Sequence, residues 1–167
     1  MLGGNFRSDN RLYGSYPHRL AERVMSLFPE CKRIIHLFSG TIPASENVTT
    51  YDIRKRFNPT IRDDVRNIVN HKDVFKKADI VLADPPYDDS DFEKYSEKPF
   101  NKRLVIHDLF KVMRAGAYLA WLDTKPQQYS SSEWKLIGYI AVITSTNRRV
   151  RLWQFLQRRG KIVVHGK

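Results

Sequence analysis

An apolar run, Ala78-Asp79-Ile80-Val81-Leu82-Ala83, breaks off into Asp84-Pro85-Pro86-Tyr87. This junction constrains the chain more than any other feature, because it marks a buried strand with a chemically unusual end. The two prolines fix the backbone and remove two N–H donors. Carbonyl oxygens are left at the strand end with no donor beside them. The Asp84 carboxylate and the Pro85 carbonyl can both accept hydrogen bonds from one –NH2 group. Tyr87 offers a flat face on which a base can stack. The competing reading is a plain strand followed by a tight Pro-Pro turn. Proline makes up only about 5% of ordinary sequence, so an Asp-Pro-Pro-Tyr string at a strand end is rare by chance.

The rest of the chain alternates strands and helices. Residues 1–14 are polar, rich in Gly, Asn and Arg, and irregular. Ser15 ahead of Pro17 reads as a helix start, with Leu20, Val24, Leu27 and Phe28 at helical spacing and Pro29 as the stop. Strands are expected over Lys32–Phe38, Val48–Asp52, Thr60–Asp63 (short) and Ile80–Ala83. The stretch Asp88–Pro99 is polar and acidic, and reads as a loop. Asn101–Met113 carries Val105, Leu109, Val112 and Met113 on one helical face, and Gly116 is expected to cap its end. Ala117–Asp123 is a very apolar strand. Trp134–Thr144 and Val150–Leu156 lie too close together for a helical crossover, so they form a hairpin. The result is an α/β fold with a mainly parallel sheet and one antiparallel strand.

The chain of 167 residues is expected to be one domain, with residues 157–167 as a basic tail. It carries 29 Lys and Arg against 18 Asp and Glu, a formal net charge of +11. So basic a balance predicts a polyanionic partner, nucleic acid before any other. The single cysteine, Cys31, excludes an internal disulfide and fits a reducing compartment. One Cys with scattered His gives no zinc pattern, so no metal is expected, and Cys31 reads as a packing residue rather than a nucleophile. No long apolar stretch or signal peptide is present, which predicts an intracellular, cytoplasmic protein away from membranes.

The order of these motifs resembles the class I S-adenosylmethionine-dependent methyltransferases, and among them the amino-methyltransferases with a D/N/S-P-P-Y/F/W motif, of the DNA adenine-N6 or cytosine-N4 type. The resemblance runs from about Ile34 to Arg158. It comprises His36-Leu37-Phe38-Ser39-Gly40-Thr41 after the first strand, Asp52 ending the second, Asp64-Val65-Arg66 after the third, Asp84–Tyr87 after the fourth, and Ala115-Gly116-Ala117-Tyr118-Leu119 leading into the fifth. It implies a Rossmann-like, seven-stranded sheet of order 3-2-1-4-5-7-6 with strand seven antiparallel. It also implies S-adenosylmethionine as cofactor, held by His36, Phe38, Ser39, Gly40, Asp52, Asp64 and Val65. In open α/β sheets ligands sit beyond the carboxyl ends of the strands. There Gly40 lets backbone approach closely, Asp52 accepts from the ribose hydroxyls, and Asp64, with Asp63 adjacent, takes the adenine amino group. Each of these also has an ordinary reading, as a turn glycine, a strand-end acid or a helix N-cap pair.

Two departures from the family pattern stand out. His36 occupies the usual acid position, and Ile42 that of the last glycine of the first turn. Only seven residues separate Gly40 from Val48, too few for the helix that usually follows, so that wall of the cofactor site must be a loop.

The resemblance implies methylation of an exocyclic amino group of a nucleic-acid base, adenine in DNA first and cytosine second, with Asp84, Pro85, Pro86 and Tyr87 as the catalytic set. Phosphate contacts are expected from Asn147, Arg148, Arg149 and Arg151 at the hairpin tip, and from Lys102 and Arg103 at a helix start. The compact chain has no insertion of the size of a target-recognition domain, so specificity is expected to come from loops or a protein partner, or to be low. The alternatives are a methyltransferase for RNA or another amine, and a basic nucleic-acid-binding module whose cofactor pocket has decayed.

Overall fold

The structure, a computed structural model, describes residues 20–87, 99–143 and 150–160. The N-terminal segment with its helix start, most of the Asp88–Pro99 loop, the tip residues Asn147, Arg148 and Arg149, and the tail beyond Gly160 lie outside the described residues.

The elements follow the sequence pattern closely. A helix α1(Leu20–Met25) precedes strands β1(Ile34–Leu37), β2(Val48–Asp52) and β3(Ile61–Arg62). A 3-10 turn over Lys55–Phe57 joins β2 to β3. A second, over Val65–His71, runs into α2(Lys72–Phe75) and then β4(Ile80–Ala83). Helix α3(Lys102–Val112) leads to β5(Tyr118–Asp123), and β6(Trp134–Ile143) and β7(Val150–Arg158) close the chain. The sheet order is β3-β2-β1-β4-β5-β7-β6. Strands β1 to β5 pair in parallel, and β7 runs antiparallel to both β5 and β6. This is the expected Rossmann-like methyltransferase arrangement.

Burial explains why these short strands form. In a sheet covered on both faces, consecutive residues are all apolar but belong to different cores. Val81 and Ala83 pack into a cluster with Ile35, Leu37, Trp121 and the α3 residues Val105, Ile106 and Leu109. Ile80 and Leu82 face the other way, with Leu20, Val24 and Phe28 of the first helical segment and Trp153 of β7. Cys31 packs in this second cluster, and burial pushes its thiol pKa up to about 11, which suits a packing residue. Asp79, at the amino end of β4, is nearly buried and clasps β1 to β4. Its carboxylate accepts from the Lys32 and Arg33 amides at 2.9 and 2.8 Å and from Arg114 at 2.7 Å.

One local expectation differs and another is met. Helix α3 begins as expected, with the Asn101 side chain accepting from the Arg103 and Leu104 amides. It ends at Met113, whose backbone turns extended, so Gly116 is not its cap. Gly116 instead takes φ +82° in the turn into β5, where its amide donates to the Arg158 carbonyl. Between β1 and β2 the chain makes a tight turn and a Ser45–Val48 bridge with no helix, as the short spacing requires.

Candidate active site at the carboxyl ends of the strands

Strand register brings the candidate residues together. Leu37 stands opposite both Tyr51 and Ala83, and Ala83 opposite Trp121. The residues that follow or end these strands, Phe38, Asp52, Asp84 and Asp123, therefore share one edge of the sheet. A cleft open to solvent lies there, lined by Phe38, Tyr51, Asp52, Ile53, Asp63, Asp64, Val65 and Phe100.

The first turn is strained. Phe38 has φ +60°, in the left-handed region where a bulky side chain is uncommon. Its ring is thereby turned onto Phe100, stacked at 5.4 Å and 9°, and edge-on to Trp121 at 6.4 Å. Ser39 and Gly40 follow, with Gly40 at φ +53°, a conformation glycine adopts without cost. The Gly40 amide donates to Asp52 at 2.9 Å, and the Ser39 hydroxyl is buried with no hydrogen-bond partner among the described residues. His36 does not reach the cleft. It sits within β1 beside Thr50 and Leu82, where burial lowers its pKa to about 4 and keeps it neutral. Strand alternation decides this, since Ile35 and Leu37 occupy the α3 side of the sheet and His36 points to the other.

Two of the three cleft acids are answered by an arginine two residues on. Asp52 is 3% exposed. Its oxygens accept from the Arg54 amide at 2.9 Å, from Arg54 Nε and Nη2 at 3.0 Å each, and from Gly40. Asp64 accepts from the Arg66 amide at 2.9 Å and Nε at 2.8 Å, and Arg66 Nη2 closes the pair. The Arg66 guanidinium is the main reason the Asp64 pKa is held low. Asp63 spends its oxygens within its own turn, on the Asp64 amide, Asn67 and His71. The spacing Asp-x-Arg occurs at both acids, Asp52-Ile53-Arg54 and Asp64-Val65-Arg66, and is the signal by which these partners could have been found.

At the end of β4, Pro85 and Pro86 are buried and Asp84 and Tyr87 half-buried. The Tyr87 hydroxyl donates to Asp84 Oδ1 at 2.5 Å, a link that stacking alone does not require. The Arg151 guanidinium lies 5.2 Å from the centre of the Tyr87 ring, against its face. Of the expected phosphate contacts, Arg151 is thus drawn to the Asp84–Tyr87 segment, and Arg103 is exposed at the start of α3. Lys102 is turned inward. Its ammonium is 2.6 Å from Asp123 Oδ2 and 3.1 Å from the Tyr87 carbonyl, with the lysine side chain 13% and the Asp123 side chain 1% exposed. The pair takes Lys102 away from the solvent-facing role expected of it and ties the segment after β4 to the end of β5.

Three solved structures share this architecture. The chain matches TrmN from Thermus thermophilus at a TM-score of 0.57 and 16% identity, covering 83% of this chain and 48% of that one. It matches a putative SAM-dependent methyltransferase from Streptococcus mutans at 0.60 and 10%, covering 89% and 51%. It matches the rRNA methyltransferase AviRa from Streptomyces viridochromogenes at 0.51 and 11%, covering 87% and 86%. The chain therefore has the class I methyltransferase fold, and it spans about half the length of the first two of these proteins. No protein-family model and no curated protein matches the sequence.

Proposed function

We propose that the protein is an S-adenosylmethionine-dependent methyltransferase acting on an exocyclic amino group of a nucleic-acid base, with adenine in DNA as the first candidate. The observation that carries the reading is the position of Asp84-Pro85-Pro86-Tyr87 at the carboxyl end of β4, at the same sheet edge as an acid-lined cleft.

The cleft suits this cofactor. Gly40 leaves a turn without a side chain, and the buried Ser39 hydroxyl is a polar group with a bond to give. Asp64 accepts three N–H bonds and keeps capacity for an adenine amine. Asp52 suits ribose hydroxyls once the Arg54 side chain withdraws. Val65 and Phe38 supply apolar contact for a ring. When bound, S-adenosylmethionine supplies an electrophilic methyl group on sulfur.

The chain's own part is positioning and electrostatics. An exocyclic amine is a poor nucleophile because its lone pair is delocalised into the ring. By accepting its two N–H bonds, the Asp84 carboxylate and the Pro85 carbonyl favour a pyramidal nitrogen with a localised lone pair. The Tyr87 ring takes the place of the base's stacking partner, and the Tyr87 hydroxyl holds the Asp84 carboxylate in place. An RNA amine is the second reading, favoured by the resemblance in fold to TrmN and to an rRNA methyltransferase.

DNA and RNA are to be incubated separately with the protein and methyl-labelled cofactor, and their nucleosides analysed by mass spectrometry. Label is expected in N6-methyl-2'-deoxyadenosine from DNA. Label in an RNA nucleoside alone would select the second reading, and no label in either would overturn the proposal. Asp84→Ala is expected to lower turnover by about two orders of magnitude or more with cofactor affinity nearly unchanged, since its carboxylate is assigned to the amine.

A further inference from the structure

The 3-10 turn between β2 and β3 holds a cationic surface that no part of the cofactor site uses. Lys55 and Arg56 are exposed on this turn, and Arg62 is exposed at the end of β3. Arg54 is neutralised by Asp52, but among the described residues no acid lies within ion-pair distance of Lys55, Arg56 or Arg62. The Arg54 and Arg56 guanidinium carbons both lie over the Phe57 ring, at 4.5 and 4.7 Å from its centre. The ring contact fixes the Arg56 guanidinium beside the Asp52-paired Arg54, with no acid of its own within ion-pair distance among the described residues. The surface reaches the cleft at Arg62, which stands in register beside Asp52. S-Adenosylmethionine itself carries net positive charge, so cations here oppose its binding rather than aid it. Their complement is a polyanion.

We infer that Lys55, Arg56 and Arg62 form a phosphodiester-binding surface, on which the backbone of the substrate nucleic acid lies while one base is presented to Asp84 and Tyr87. The inference rests on the nucleic-acid part of the proposed function. The placement is consistent with one continuous strand. Strands β3 and β4 are three places apart in the sheet, about 14 Å at the usual strand spacing, or about four nucleotides at the axial rise of one strand of a duplex. The surface is read from described residues alone and lies on the opposite flank of the sheet from the β6–β7 hairpin.

The test compares the unaltered protein with Lys55→Gln/Arg56→Gln/Arg62→Gln, and with a control of equal charge change, Lys32→Gln/Lys76→Gln/Lys77→Gln. The control residues precede β1 and β4 and so lie at the other end of the sheet. Binding to a 24-base-pair DNA duplex, the matching single strand and an RNA duplex is measured from 50 to 300 mM salt. The first triple is expected to reduce the slope of log affinity against log salt for duplex DNA by about two to three, with the control changing it by less than one. It is expected to weaken binding at least tenfold at 100 mM salt. An unchanged slope, an equal loss in the control, or no binding by the unaltered protein to any probe would each overturn the surface. Calorimetry with S-adenosylhomocysteine separates the two readings. Unchanged affinity in the first triple supports the assignment of these cations to the polyanion, and a marked loss would assign them to the cofactor and overturn it. If the unaltered protein bound duplex with the expected slope but not S-adenosylhomocysteine, the methyltransferase reading would fail and the surface would stand.

Discussion

At Asp52 the chain has built an acid that is already fully occupied. Four N–H groups reach its two oxygens, three of them from Arg54. A carboxylate has about four acceptor positions, so a ribose can bind only by displacing the Arg54 side chain. Two consequences oppose each other. The bidentate pair stabilises a nearly buried charge, and the same pair competes with the ligand. Arg54→Met keeps the side-chain bulk and removes the competitor. It is expected to tighten S-adenosylhomocysteine binding by about tenfold, the worth of a charge-assisted hydrogen bond, while lowering the melting temperature. Calorimetry showing weaker binding in this variant would mean that Arg54 contacts the ligand instead. The neighbouring strain at Phe38 belongs to the same scale: its left-handed backbone turns the ring across the cleft onto Phe100. Neither partner could be read from sequence, because Phe38 and Phe100 are 62 residues apart and only the fold makes them adjacent.

Among the elements, α3 has a second duty beyond covering the sheet. Its apolar face packs on β4 and β5 through Val105, Ile106 and Leu109. Its first residue, Lys102, reaches the Tyr87 carbonyl and Asp123, so the helix start fixes where the segment after β4 lies. Lys102→Met leaves the buried Asp123 charge without its cation and frees the Tyr87 backbone. The expected cost is about 3 kcal/mol of stability, near the low end for breaking a buried pair because Thr124 and Gln127 still donate to Asp123. Turnover is expected to fall at least tenfold with cofactor affinity little changed, since the link acts on the substrate end of the site. A urea titration and single-turnover kinetics check both parts, and normal turnover in the folded variant would remove Lys102 from the positioning of Tyr87. From sequence Lys102 was expected to be a phosphate contact at a helix start. Its apolar neighbours and the distant Asp123 turn it inward.

Over the whole molecule, two buried ionisable groups make stability depend on pH in one direction. Burial lowers the His36 pKa from 6.5 to about 4. The unfolded chain therefore binds this proton first as pH falls, and stability is lost between about pH 6.5 and 4. For Asp79, burial alone would raise the pKa, but donation from the Arg33 amide, Arg114 and the Lys32 amide outweighs it and holds the carboxyl far below its ordinary value. Its contribution is present above the unfolded carboxyl pKa of about 3.9 and is lost as pH falls below it. The urea midpoint is thus expected to be flat above pH 7 with respect to these two groups, to fall from pH 6.5 to 4, and to fall again in stronger acid. His36→Phe should flatten the first decline only. A midpoint unchanged from pH 6.5 to 4 in the unaltered protein would show that His36 is protonated in the folded state. The sequence by itself determined a mainly parallel α/β sheet with one antiparallel strand, because apolar runs alternate with helical spacing and the last two lie too close for a crossover, while the strand order was implied by the family resemblance. It also determined the candidate catalytic segment, because Asp84–Tyr87 is contiguous and its chemistry is local. Tertiary structure decided what is not local: that His36 faces away from the cleft, that Gly116 turns the chain rather than capping a helix, and that Lys102 is a buried tie while Lys55, Arg56 and Arg62 stay in solvent. Side-chain charge is legible one residue at a time, but whether a charge meets a partner depends on which strand ends share an edge, and packing alone sets that.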